Sequence, residues 1–72
     1  MIVTLKELRE VKGLTQTEVA AACGVTSQAV WAWERGQYEP SLIKQRAIAK
    51  VLEVSLDEVR AAVKESAPKQ QP

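Results

Sequence analysis

Apolar positions along this chain recur at three- and four-residue steps, and each run is bracketed by helix start and stop signals. Thr4, Thr15 and Ser55 each stand three residues before a glutamate (Glu7, Glu18, Glu58), which is the spacing of a capping box. Each also has a hydrophobic staple pattern across its cap: Val3 with Leu8, Leu14 with Val19, Val54 with Val59. Gly13, Gly24 and Gly36 all follow amphipathic runs, where a left-handed C-cap belongs. The pattern predicts five helices, over 5–12, 16–23, 27–35, 42–52 and 56–64. Thr26 starts the third, and Ser41 behind Pro40 starts the fourth. The valine-rich pieces keep helical spacing, so the fold class is all-α.

The link between the second and third helices is the strongest local signal. Gly24-Val25-Thr26 makes a tight turn between two short helices, and Ala20, Ala21 and Ala22 allow a crossing helix to come close. This is helix-turn-helix geometry, which presents its second helix to a major groove. At 100° per residue, Ala29, Val30 and Trp33 share the core side of the third helix. Gln28, Ala32 and Arg35 share the opposite side, flanked by Ser27 and Trp31. Gln pairs bidentately with adenine, Ser bonds to either kind of base edge, and Ala or an aromatic edge touches a thymine methyl. Ser27, Gln28, Trp31 and Ala32 are therefore the candidate base contacts. Ala29 occupies the position where three other helices carry an acid, so no carboxylate repels phosphate there. Trp31 has two readings: a base contact, or a ring folded back over the second helix. Trp33 reads as core, and so does Cys23, with no cation near it in sequence to activate its thiol.

Composition narrows the classes. The 72 residues fit one small domain over 1–65 with a polar, proline-bearing tail over 66–72. So short a core secures only ~3–5 kcal/mol, which makes oligomerisation an expectation. The chain has no His, one Cys and one Asp. That leaves no catalytic set, no metal site, no disulfide and no evident small-molecule site, and with the glycines spent on caps it implies no cofactor. The reading is a non-enzyme. A lone Cys fits a reducing cytoplasm, and neither a membrane-length apolar run nor a secretory layout is present. The net charge of +1 by itself argues against a polyanionic partner.

The segment from Gln16 to Gly36, QTEVAAACGVTSQAVWAWERG, resembles the DNA-binding unit of the phage repressor and Cro family, the Xre-type regulators. The likeness extends over about residues 5–59. It includes Arg9, Leu14-Thr15-Gln16, Ala20, Gly24-Val25, Val30, Trp33-Glu34-Arg35-Gly36, Pro40, Leu52, Val54, Ser55 and Leu56. The resemblance implies a compact five-helix lambda-repressor-like domain whose second and third helices form the helix-turn-helix. It further implies sequence-specific binding of double-stranded DNA at a palindromic operator by a small homodimeric repressor, in a phage, plasmid or other mobile-element setting.

By the same resemblance Arg9 and Glu34 form an ion pair, and Gln16, with Thr15 and the free amides of its helix start, clamps the DNA backbone. Arg35, Gln37, Tyr38, Ser41 and Lys44 make a second backbone clamp. Leu42, Ile48, Ala49 and Leu52 form a core stripe, joined by Leu56 and Val59, while Ala62 and Val63 near the end of the fifth helix are candidate dimer contacts. The chain departs from the family at Trp31, Glu39, Gln45, Arg46 and Glu53. An alternative is a protein-binding module of the same fold, an antitoxin or anti-repressor, which the low charge and an exposed Trp31 keep open.

Overall fold

Five helices follow one another in the computed structural model, which describes residues 3–67: α1 Leu5–Val11, α2 Gln16–Cys23, α3 Ser27–Glu34, α4 Leu42–Leu52 and α5 Leu56–Ser66. All three expected capping boxes are formed, at Thr4/Glu7, Thr15/Glu18 and Ser55/Glu58, each with backbone and side chain reciprocally bonded. Thr26 and Ser41 cap α3 and α4 through their hydroxyls alone. Among the described residues there is no strand, and no helix is long and apolar enough to cross a membrane.

The core forms where α2 packs on α3 and α4, and α5 packs on α4, α1 and α3. Leu52 and Val59 lie at its centre, surrounded by Leu5, Leu8, Val19, Val30, Trp33 and Ile48. Among the described residues, no polar or charged residue is fully buried.

Three expectations are corrected. Ala62 and Val63 are core residues, buried beside Val59, and are unavailable as dimer contacts. The reason is that α5 runs two residues further than expected and its second half packs against α1. Ser66 ties that end: its hydroxyl accepts from the Leu5 amide at 2.9 Å and donates to the Ala62 carbonyl at 2.8 Å. Ser66 is thus a helical residue rather than the first of a tail, and residues 68–72 of the expected tail lie outside the described residues. Leu42 stands 48% exposed, outside the expected stripe. As the first residue of α4 it projects beyond the core, and one turn later Gln45 folds back to donate to the Pro40 carbonyl at 2.9 Å.

Glu53 caps α4 in the left-handed region, at φ 58° and ψ 44°, where a side chain is disfavoured and glycine is not. It is the one non-glycine residue of positive φ among the described residues.

Candidate nucleic-acid interface

The turn that presents α3 is built from backbone hydrogen bonds. Gly24 adopts φ 71°, the Gly24 amide donates to the Ala21 carbonyl at 3.4 Å, and the Val25 amide donates to the Ala20 carbonyl at 3.0 Å. That pair is a Schellman motif, and the half-buried Val25 packs on the core behind it. The Thr26 hydroxyl then accepts from the Ala29 amide at 3.2 Å and opens α3.

The two helix starts differ electrostatically. At α2 the Glu18 carboxylate accepts from the Thr15 amide at 2.8 Å, so an anion already occupies part of that terminus. The start of α2 is therefore less open to phosphate than the sequence suggested. At α3 no acid lies in the first turn, and its amide end faces outward beside exposed Ser27 and Gln28.

Arg9 and Glu34 form the expected pair, and it is bidentate: Nε to Oε2 at 2.6 Å and Nη2 to Oε1 at 3.1 Å. The side chains are 12% and 5% exposed. Arg9 Nη1 also donates to the Leu14 carbonyl at 2.8 Å, and Gln16 Nε2 donates to Glu34 Oε1 at 2.9 Å. One half-buried network therefore ties α1, the turn after it, α2 and α3 together. The Glu34 hydrogen bonds push the Arg9 guanidinium further toward its charged form. The same network engages the Gln16 side chain, which was expected to be free for phosphate.

Lys44 is likewise turned inward. Its Nζ donates to the Cys23 carbonyl at 3.1 Å, placing a cation at the C-terminal end of α2. This also supplies the cation near Cys23 that local sequence lacked. Burial nevertheless dominates and pushes the Cys23 thiol above its ordinary value.

On the outer face of α3, Ser27, Gln28 and Arg35 are exposed, with Trp31 41% exposed. The Trp31 ring is partly exposed and borders hollows shared with Gln16 at the start of α2. The Arg35 guanidinium covers it at 4.9 Å from the centroid, and it stands in hollows shared with Ser27, Gln28 and Gln16. Ala32 differs from expectation and is buried. The chain reverses at Gly36, and the Gln37 amide donates back to the Ala32 carbonyl at 3.0 Å. Trp33 is buried as expected. Thr15, Gln37, Tyr38 and Ser41 are exposed around this face.

One residue escaped the sequence reading. Lys6 of α1 lines a hollow with Gln16, Trp31, Glu34 and Arg35. Its spacing of three from Arg9 puts both on one side of α1, a signal that was available. Since Glu34 is satisfied by Arg9 and Gln16, Lys6 and Arg35 are the uncompensated charges there. No group of three His, Cys, Asp or Glu side chains that could hold a metal ion exists among the described residues.

Comparison with known proteins places this geometry among helix-turn-helix proteins. A family profile described as helix-turn-helix matches residues 5–59. An uncharacterized HTH-type transcriptional regulator of Methanothermobacter thermautotrophicus is 48% identical over 48 residues, covering 67% of this chain and 70% of that protein. Two further proteins of the same description, from Methanocaldococcus jannaschii and from Bacillus subtilis (YgzD), are each 38% identical over 55 residues, covering 76% of this chain and 83% of theirs. No solved structure matches significantly.

Proposed function

The chain belongs to the Cro/C1-type helix-turn-helix family of DNA-binding transcriptional regulators, and from that premise we propose that it binds a specific double-stranded operator with α3 in the major groove. The observation that carries this reading is the outer face of α3. Ser27, Gln28 and Trp31 are exposed on it, no acid stands in its first turn, and a rigid Schellman turn holds it. Ser27, Gln28 and Trp31 read base edges, with Ala32 as the apolar floor beside them. Lys6, Arg35, Gln37, Tyr38 and Ser41 flank the face and meet backbone, with Thr15 and Gln16 at the edge of α2. Lys44 supports the end of α2 instead.

The working form is a cytoplasmic homodimer that represses from a palindromic site. With Ala62 and Val63 in the core and Arg60, Lys64 and Glu65 exposed on α5, the end of that helix offers a polar surface. Away from the α3 face, the exposed large apolar residues are Val11, 78% exposed, at the end of α1, and the adjacent pair Leu42, 48% exposed, and Ile43, 74% exposed, at the start of α4. The two-fold contact belongs at the adjacent pair Leu42 and Ile43. Electrophoretic mobility shift against duplex selected from a randomised pool, and against DNA upstream of the gene, tests the reading. Absence of any sequence preference rejects it.

The same exposed apolar residues, with Tyr38, favour a second reading in which the fold docks on a protein as an antitoxin or anti-repressor. Retained partner binding with no duplex binding would select it.

A further inference from the structure

The segment between α3 and α4 is fastened at its two ends and nearly bare between them. At the upstream end the Gly36 amide donates to the Trp33 carbonyl at 3.1 Å and the Gln37 amide to the Ala32 carbonyl at 3.0 Å, with Gly36 at φ 75°. That closes α3 in a second Schellman motif. At the downstream end Ser41 caps α4. Between them, Tyr38 and Glu39 donate no backbone hydrogen bond among the described residues, and Pro40 has no amide hydrogen to give. Among the described residues, one hydrogen bond reaches this stretch, and a side chain supplies it: Gln45 Nε2 donates to the Pro40 carbonyl at 2.9 Å.

Gln45 holds that carbonyl at a cost to stability. It lies one turn inside α4, where its own amide donates to the Ser41 carbonyl at 2.7 Å. The other end of its carboxamide, Oε1, is buried and meets no donor among the described residues. A buried acceptor without a partner opposes folding, and an apolar side chain of the same length would carry no such group. Neither the helix nor the core therefore explains a carboxamide here. What it secures is the Pro40 carbonyl, and with it the two residues before. Tyr38 is 70% exposed there and shares a hollow with Gln37 of the loop and with Gln28 and Trp31 of α3. On the reading that α3 enters the major groove and Tyr38 meets the DNA backbone beside it, we infer that Gln45 is a positioning residue for DNA binding. It acts from within the fold, holding residues 38–40 so that Tyr38 is in place before the duplex arrives. A loop ordered only on binding would subtract its lost freedom from the contact it makes.

Gln45→Met in the full chain tests this, since it keeps the length of the side chain and removes both the donor and the unpartnered oxygen. With the helical circular dichroism spectrum retained, backbone amide NMR relaxation should show the order parameters of Tyr38 and Glu39 falling from about 0.85 to below about 0.6, and those of the five helices unchanged. Affinity for duplex selected from a randomised pool, read by fluorescence anisotropy, should fall about fivefold per half-site, the size of one hydrogen bond. Scrambled duplex should weaken by the same factor, and the slope of log K against log salt should stay as it was, because Tyr38 carries no charge. In a Tyr38→Ala background the same substitution should change affinity by less than about twofold. Order parameters unmoved by Gln45→Met overturn the inference. So does a mobile segment with parental affinity, or a fivefold loss that persists without the Tyr38 ring. Each of these leaves the DNA reading standing. A parent chain that binds no duplex selectively overturns that reading, and the inference with it.

Discussion

The Arg35 guanidinium lies over the Trp31 indole, 4.9 Å from its centroid, one turn further along the same helix and its cap. The stack orders an exposed cation at the edge of the proposed groove face, where Lys6 is the other uncompensated charge. Two such cations per protomer mean few neutralised phosphates and a shallow dependence of affinity on salt. Lys6→Ala should weaken binding to all duplexes alike and reduce the slope of log K against log salt by about one. A salt titration checks this; a slope unchanged by the substitution would remove Lys6 from the interface.

The Arg9–Glu34 pair should be costly to break. Removing one partner strands a half-buried charge, at ~3–5 kcal/mol, which is about all the stability a core of this size supplies. Arg9→Ala and Glu34→Ala should each be largely unfolded at 25 °C by circular dichroism. The double variant should lose less than the sum of the two, as read from urea melts at lower temperature.

Glu53 offers a gain. A side chain in the left-handed region costs ~1–2 kcal/mol, and glycine relieves it less its own greater freedom in the unfolded chain. Glu53→Gly should stabilise by about 1 kcal/mol and raise Tm by roughly 4–8 °C. Gly24→Ala should move the other way: no atom crowds the position within 4 Å, so its φ of 71° alone sets the cost. Calorimetry of both variants gives the comparison.

The dimer surface is separable from the core. Val63→Ala should cost about 2 kcal/mol of folding stability, because that side chain is buried in the core cluster. Ile43→Glu, at a 74% exposed position, should keep the helical circular dichroism spectrum and shift the sedimentation profile from dimer to monomer, with a Tm that no longer rises with protein concentration. An unaltered profile would place the two-fold contact elsewhere.

Acid should loosen the start of α1. The Thr4 amide, and secondarily its hydroxyl, hold the Glu7 carboxyl below its usual 4.5. Its folded value is depressed, so its contribution is present above 4.5 and is lost as pH falls through the lower folded value. Glu7→Gln should flatten the fall of Tm in that range, and identical acid melts for the two proteins would dismiss the effect.

The helices were legible because their signals are local. Thr4 and Glu7, Thr15 and Glu18, or Ser55 and Glu58 lie one turn apart, so a capping box can be read from spacing, and Gly24 announces the turn before α3. The pairing of Arg9 with Glu34 was legible only through resemblance, since the partners are far apart in the chain. Lys6 went unremarked because its significance comes from Arg35 and Trp31, which another helix supplies.

What the sequence by itself determined is therefore the order of the elements and where each helix starts, the tight α2–α3 turn and the near-absence of acid on the outer face of α3. These depend on backbone capping and side-chain period over a few residues. Tertiary packing alone decided which apolar residues are spent inside. Ala62 and Val63 are buried in the core while α5 continues to Ser66, Leu42 is left outside at the first turn of α4, and Ala32 is buried near the reversal at Gly36. It also decided that Gln16 and Lys44 turn inward, to Glu34 and to the Cys23 carbonyl. A helical period states which residues share a face, but only the neighbouring elements determine whether that face meets protein or solvent.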